Sequence, residues 1–149
     1  MTYVSSFASR RSVLTLLVVL GGCASSSVSV PDGTAPLSHD EVMALFSGAT
    51  VHRSVPGTAD TTVVLKTSAD GTVEAFLHPG KSRFAHAGLV VHETGTWTVE
   101  PGGRFCVKLT RDATATSTWC RFIFRTETAF GAGQSAHATR LESLDISKN

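Results

Sequence analysis

The residues whose types and spacing could do chemistry in this chain are few, and three cysteines lead them: Cys23, Cys106 and Cys120. An odd count asks for one pair and one cysteine with a separate fate. Cys106 and Cys120 stand equidistant from Ala113, each inside an apolar run, "RFCVKLT" and "TWCRFIFRT". In a regular antiparallel hairpin that symmetry sets them opposite one another, close enough to bridge at a non-hydrogen-bonded pair. Catalytic thiols favour Cys-x-x-Cys at a helix start, and zinc wants two further ligands at short spacing; neither pattern is present. The histidines are His39, His52, His78, His86, His92 and His137, and no two have the i, i+4 or alternate-residue spacing that metal sites use. Ser135 and His137 are close in "GAGQSAHA", yet no G-x-S-x-G elbow surrounds the serine. "PGK" at Pro79 to Lys81 lacks the spacing of a phosphate loop. Asp32, Asp40, Glu41 and Asp60 cluster only in sequence. The expectation is a chain without catalytic residues, cofactor or metal.

Composition narrows the class further. A chain of 149 residues holds one domain and a tail. Its net charge of +1 makes no electrostatic case for nucleic acid or for a polybasic membrane patch. Charged residues are 17%, while eight Phe, two Trp and many Val supply a small core.

The leftover Cys23 closes an apolar run. Residues 1–11, "MTYVSSFASRR", carry no acid and end in Arg10 and Arg11, and "VLTLLVVL" follows from Val13 to Leu20. That run is far short of the ~30 Å hydrocarbon core. A positive segment, a short apolar segment and then small residues describe a secretory signal peptide. "LGGC", Leu20 to Cys23, resembles the lipobox of bacterial lipoproteins: an aliphatic residue, two small residues, then Cys. The resemblance implies a diacylglycerol on the Cys23 sulfur, cleavage after Gly22 and acylation of the new amino terminus. One acyl chain binds a membrane only marginally at ~0.8 kcal/mol per buried methylene, whereas two or three hold lastingly. The lipid bilayer is then the first partner. Inner-membrane lipoproteins typically carry Asp after the Cys, so Ala24 implies transfer to the outer membrane, facing the periplasm. "SRRSVLT", Ser9 to Thr15, is also similar to the twin-arginine export motif; a plain charge-bearing general-secretion signal stays open beside it. A periplasmic chain meets oxidising conditions, so Cys106 and Cys120 are expected as a disulfide worth ~3 kcal/mol on the chain-entropy model.

What must position these residues is read from the rest. Residues 23–36, the expected lipidated Cys and a Ser/Pro/Gly linker without apolar period, should place a domain of residues 37–149 some ~20 Å from its anchor. In "PLSHDEVMALFSG", Ser38 and Glu41 form a capping box, Leu37 and Val42 a hydrophobic staple, and Gly48 the left-handed stop. Val42, Leu45 and Phe46 share a face, so this short helix must pack on a sheet or plug a barrel end. From Thr61 onward strands and turns are expected: "TTVVLKT", an Asp-Gly turn, "TVEAFLH", two strands in "GLVVHETGTWTVE" broken near Thr94-Gly95, the two cysteine strands, and a weaker "TRLESLDI". Six to eight such strands make a mainly β domain, a small antiparallel barrel or sandwich, with one short N-terminal helix. One pattern is discordant. Phe105, Val107, Trp119 and Ile123 share a face with Arg121, while Phe122 and Phe124 share the other with Arg104 and Lys108. A bulge, or burial of the strand on both faces by the helix, would account for it.

Gly95-Thr96-Trp97 entering a strand is similar to the barrel-sealing motif of lipocalin-like folds, whose Trp packs beneath the barrel floor. With the "LSxxE…LFSG" helix and two later cysteines, it also looks like small bacterial secreted domains from Leu37 to about Phe130. Trp97 and Trp119 are expected as core aromatics or as ligand contacts. The function expected is a membrane-anchored, non-catalytic binding or envelope-structural module. Two alternatives stand beside it. A barrel for a small apolar ligand would show an apolar cavity by Trp97. A proteinase-inhibitor-like barrel, from a family that pairs Gly-x-Trp with a disulfide, would project "SVSVPDGTAP" into a protease. An envelope protein or a protease is the second partner implied.

Overall fold

A computed structural model describes residues 27–58, 60–80, 90–111, 115–127 and 129–149. The elements run β1 (Ser27–Ser29), α1 (His39–Phe46), β2 (Ala49–Ser54), β3 (Thr62–Thr67), β4 (Thr72–His78), β5 (Val91–Val99), β6 (Arg104–Thr110), β7 (Thr116–Arg125), β8 (Phe130–Gly133) and β9 (Arg140–Lys148). From β2 to β9 every strand pairs antiparallel with the next, and β9 pairs back onto β2 from Ala49↔Lys148 to Arg53↔Leu144. Eight strands thus close into an up-and-down barrel, the arrangement that removes sheet edges. Barrel, not sandwich, is the outcome of the two expected architectures.

Period-two alternation decides what lies inside. Val51, Leu65, Val73, Trp97, Phe105 and Ile123 are all buried and occupy the inward phase of their strands. The helix closes one end. Ser38 caps it, with the Ser38 N–H donating to Glu41 at 2.8 Å and the Glu41 N–H donating to the Ser38 hydroxyl. Val42 and Phe46 point into the barrel, and Phe46 stacks on Phe105 with ring centroids 3.8 Å apart. At the other terminus of α1, Lys148 Nζ donates to the Ala44 and Ser47 carbonyls at 2.6 and 2.7 Å, a cation where the helix dipole is negative. Buried Thr67 donates to the Phe46 carbonyl and accepts the Ala49 N–H, which joins the helix to β2 and β3.

Several elements differ from the expectations, each for a physical reason. β5 is one strand, not two. A Cβ on Gly95 would collide with the Lys108 carbonyl on β6, so this glycine serves close backbone approach rather than a break. β2 and β8 stand outside the strands that the sequence pattern predicts. β2 is short and carries His52, Arg53 and Ser54, while β8, "FGAG", has the composition of a loop. Part of the expected free segment 23–36 is docked: β1 pairs with β9 through Ser27↔Glu142 to Ser29↔Arg140. The Val30 N–H donates to the Thr139 carbonyl, and the Leu37 N–H to the Ile123 carbonyl at 2.7 Å.

The same segment resolves the two-faced β7. Phe124 and Leu141 lie on the outer wall over Gly131 and Gly133, where a Cβ would strike them, and Val30 covers both. β7 is therefore buried on both faces at Ile123 and Phe124, its outer face being covered there by the N-terminal segment and not by the helix. No bulge is needed: Arg104↔Phe122 to Thr110↔Thr116 is an unbroken register.

Candidate functional site

α1 seals the end of the barrel where β3, β5, β7 and β9 finish. The opposite end, where β2, β4, β6 and β8 finish, is the mouth. Its interior is not apolar. Arg53 follows Ala49 and Val51 in the inward phase of β2, and Glu142 precedes Leu144 in the inward phase of β9. Arg53 Nη1 donates to Glu142 Oε1 at 2.7 Å, with side chains 14% and 9% exposed. Trp119 and Arg121 come from the inward phase of β7. The Arg53 guanidinium carbon lies 4.7 Å from the Trp119 ring centroid and that of Arg121 lies 5.4 Å away, both within cation–π range. Arg121 Nη1 donates to the Cys120 carbonyl at 2.8 Å, and Arg121 faces no carboxylate at ion-pair distance among the described residues. At the rim Arg111 Nε donates to Glu93 at 2.7 Å.

Two buried donors here lack acceptors among the described residues: Arg53 Nε and Trp119 Nε1. Each such group costs about 1–3 kcal/mol. The ion pair is no better explained by stability, since a well-packed apolar pair in its place is often neutral or stabilising by about 1–4 kcal/mol. Below them an aromatic floor fills the barrel. Trp119 meets Phe105 edge-on at 6.1 Å, and Phe105 touches Trp97 and Phe46. The mouth thus sets buried charge over a packed floor, with hydrogen-bond donors already desolvated.

The residues singled out from sequence are distributed around this site. Cys106 and Cys120 face each other in register on the outer wall and are bonded, with Cα atoms 4.1 Å apart. Glu100 lies beside them, but both sulfurs are taken up by each other, so no thiolate is there for a metal. Trp97 is a core residue, 3% exposed, whose indole N–H donates to the Ser68 carbonyl at 2.9 Å. On its inner side, where the small-ligand alternative would need an apolar cavity, Trp97 meets Phe105 with ring centroids 5.8 Å apart. A shallow groove of about 340 Å³ runs past its rim between His39, Met43 and Asp70. Its polar groups are engaged locally: Asp70 accepts from Thr72, and His39 contacts Asp40. Trp119 belongs to the mouth. His52, His78 and His92 are exposed on separate strands; Cys23 and His86 lie outside the described residues.

Arg53 and Glu142 are the functional candidates that sequence reasoning missed. Their signal was a charge standing in the apolar phase of a strand, visible in Ala49-Val51-Arg53 and in Glu142-Leu144-Ile146. No protein-family model matches the chain, and neither does any curated protein or solved structure.

Proposed function

We propose that this protein is a periplasmic lipoprotein of the outer membrane, held by acylated Cys23, whose barrel binds a ligand or partner at its mouth and carries out no catalysis. The observation that supports the binding role best is the asymmetry of the barrel: α1 and a stacked aromatic floor seal one end, and the other presents buried donors that have no acceptor among the described residues. The anchor rests on the sequence "LGGC" at Leu20 to Cys23. β1 begins at Ser27, four positions beyond Cys23, so the barrel wall would lie within ~14 Å of the lipidated residue at full extension. The protein therefore rides close to the bilayer rather than on a long tether.

The inhibitor alternative has less in its favour, because Ser27–Ser29 and Val30, needed free in a protease cleft, are laid on the barrel wall. Mass spectrometry of the mature protein beside a Cys23→Ser variant tests the anchor. The native protein should carry lipid on its N-terminal cysteine and partition with membranes, the variant should do neither, and both should retain the Cys106–Cys120 bridge. A free thiol at Cys23 in native, membrane-derived protein would sink the reading.

A further inference from the structure

We infer that the mouth of the barrel binds a carboxylate, a singly charged one, held by Arg53 Nε, the Trp119 indole N–H and the Arg121 guanidinium. This rests on the mouth being the binding end and names the chemistry it takes. Three observations carry it. First, Arg53 uses one terminal nitrogen on Glu142 and leaves its buried Nε without an acceptor among the described residues, while Trp119 Nε1, on the ring that Arg53 stacks against at 4.7 Å, is in the same condition. Both are donors, so the missing group is an acceptor. Second, the charges do not balance. Two guanidinium groups, Arg53 and Arg121, flank one indole, and Glu142 is the one carboxylate paired with them among the described residues. Glu93 and Arg111 offset each other at the rim. Among the described residues one positive charge is left over, which a monoanion neutralises. A phosphate dianion would be under-neutralised and repelled by Glu142.

Third, depth limits the rest of the ligand. Phe105 is fully buried beneath Trp119 and packs on Trp97 and Phe46, so a long acyl chain has no channel to descend. What fits is a short acid whose body lies against the indole. Such a carboxylate can come from a small organic acid or from the C-terminus of a peptide.

The test uses the full-length, ¹⁵N-labelled protein in a non-ionic detergent, read at its two indole N–H resonances, with Trp119→Phe assigning them. The probes are benzoate, its neutral counterpart benzamide, inorganic phosphate, and alanyl-phenylalanine with a free or an amidated C-terminus. Benzoate should shift the Trp119 resonance saturably, at least about tenfold more tightly than benzamide or phosphate, and leave the Trp97 resonance in place. Arg121→Gln should weaken benzoate by about tenfold and leave benzamide unchanged. Tighter binding of the free dipeptide than of benzoate, lost on amidation, would assign the carboxylate to a peptide terminus; the reverse order assigns it to a small acid. Equal binding of benzoate and benzamide, or stronger binding of phosphate, overturns the inference and leaves the mouth as a binding end. A Trp119 resonance unmoved by every probe overturns both.

Discussion

The two tryptophans of this chain flank the same Phe105 ring inside one barrel, Trp97 toward the helix and Trp119 toward the mouth, and their indole N–H groups are treated differently. Trp97, at the helix end, is buried among Phe105 and its neighbours, and its indole N–H has the Ser68 carbonyl. Trp119, toward the mouth, stacks with two guanidinium groups, and its indole N–H has no acceptor among the described residues. The contrast extends to the surroundings. Around α1 the polar groups answer one another: Ser38 with Glu41, Lys148 with the helix carbonyls, Asp70 with Thr72, Asn149 with Gly48. At the mouth, among the described residues, Arg53 Nε and Trp119 Nε1 are left without acceptors. A fold that can satisfy its polar atoms at one end is under no geometric compulsion to leave them open at the other. A place where local consistency fails is where a functional or strained site is expected.

The comparison can be broken by substitution, and the largest effect belongs to the helix end. Phe105→Ala removes the ring on which Phe46, Trp97 and Trp119 all rest, and should cost about 4 kcal/mol in urea unfolding. A loss below about 1 kcal/mol would mean that the floor is not packed. Arg53→Met comes next. Alone it strands Glu142 inside the barrel and should cost about 3 kcal/mol; with Glu142→Leu added, stability should return to within about 1 kcal/mol of the parent or exceed it. If the double variant stays as unstable as the single one, the pair is a structural element and the mouth loses its distinction.

How far this contrast was legible before the structure depends on the kind of signal. α1 was readable to its caps, because capping chemistry is local and Ser38, Glu41 and Gly48 lie within one short stretch. The pairing of Cys106 with Cys120 was readable from hairpin symmetry, since register follows from counting. β8 was not, because Gly131 and Gly133 are demanded by Phe124 and Leu141 crossing above them, a contact between strands. Docking of Ser27 to Val30 was hidden for the same reason: a Ser/Val/Pro stretch has no period of its own and takes its conformation from the edge of β9. Arg121 was noticed as a charge on an apolar face, but its meaning needed Arg53 and Glu142, which closure brings in from β2 and β9. Barrel closure joins the first and last strands of the meander, and nothing local announces it.

Smaller perturbations sharpen the helix end. Ser38→Ala deletes the hydroxyl of the capping box and should cost about 1 kcal/mol by urea or thermal unfolding, with no change in benzoate binding at the mouth. An equal loss of binding would show that the two ends are coupled through the barrel.

The smallest effect is one of pH, and its sign is fixed. The Ser38 backbone N–H, and then its hydroxyl, hold Glu41 below the usual carboxylate range; the Thr72 hydroxyl and N–H do the same for Asp70, and Arg104 for Glu100. All three carboxylates lie at the helix end. A carboxylate with a lowered native pKa binds fewer protons folded than unfolded, so its stabilisation is complete at neutral pH. It fades as pH falls through the ordinary carboxylate range and is gone below the lowered native value. Unfolding midpoints should therefore drop between about pH 5 and pH 3. Because all three groups are exposed, solvent screening keeps the drop modest. In Ser38→Ala the slope should flatten, since the hydroxyl that helps depress Glu41 is gone while Asp70 and Glu100 keep their partners. An unchanged slope would place the acid sensitivity in those two turns and remove α1 from it.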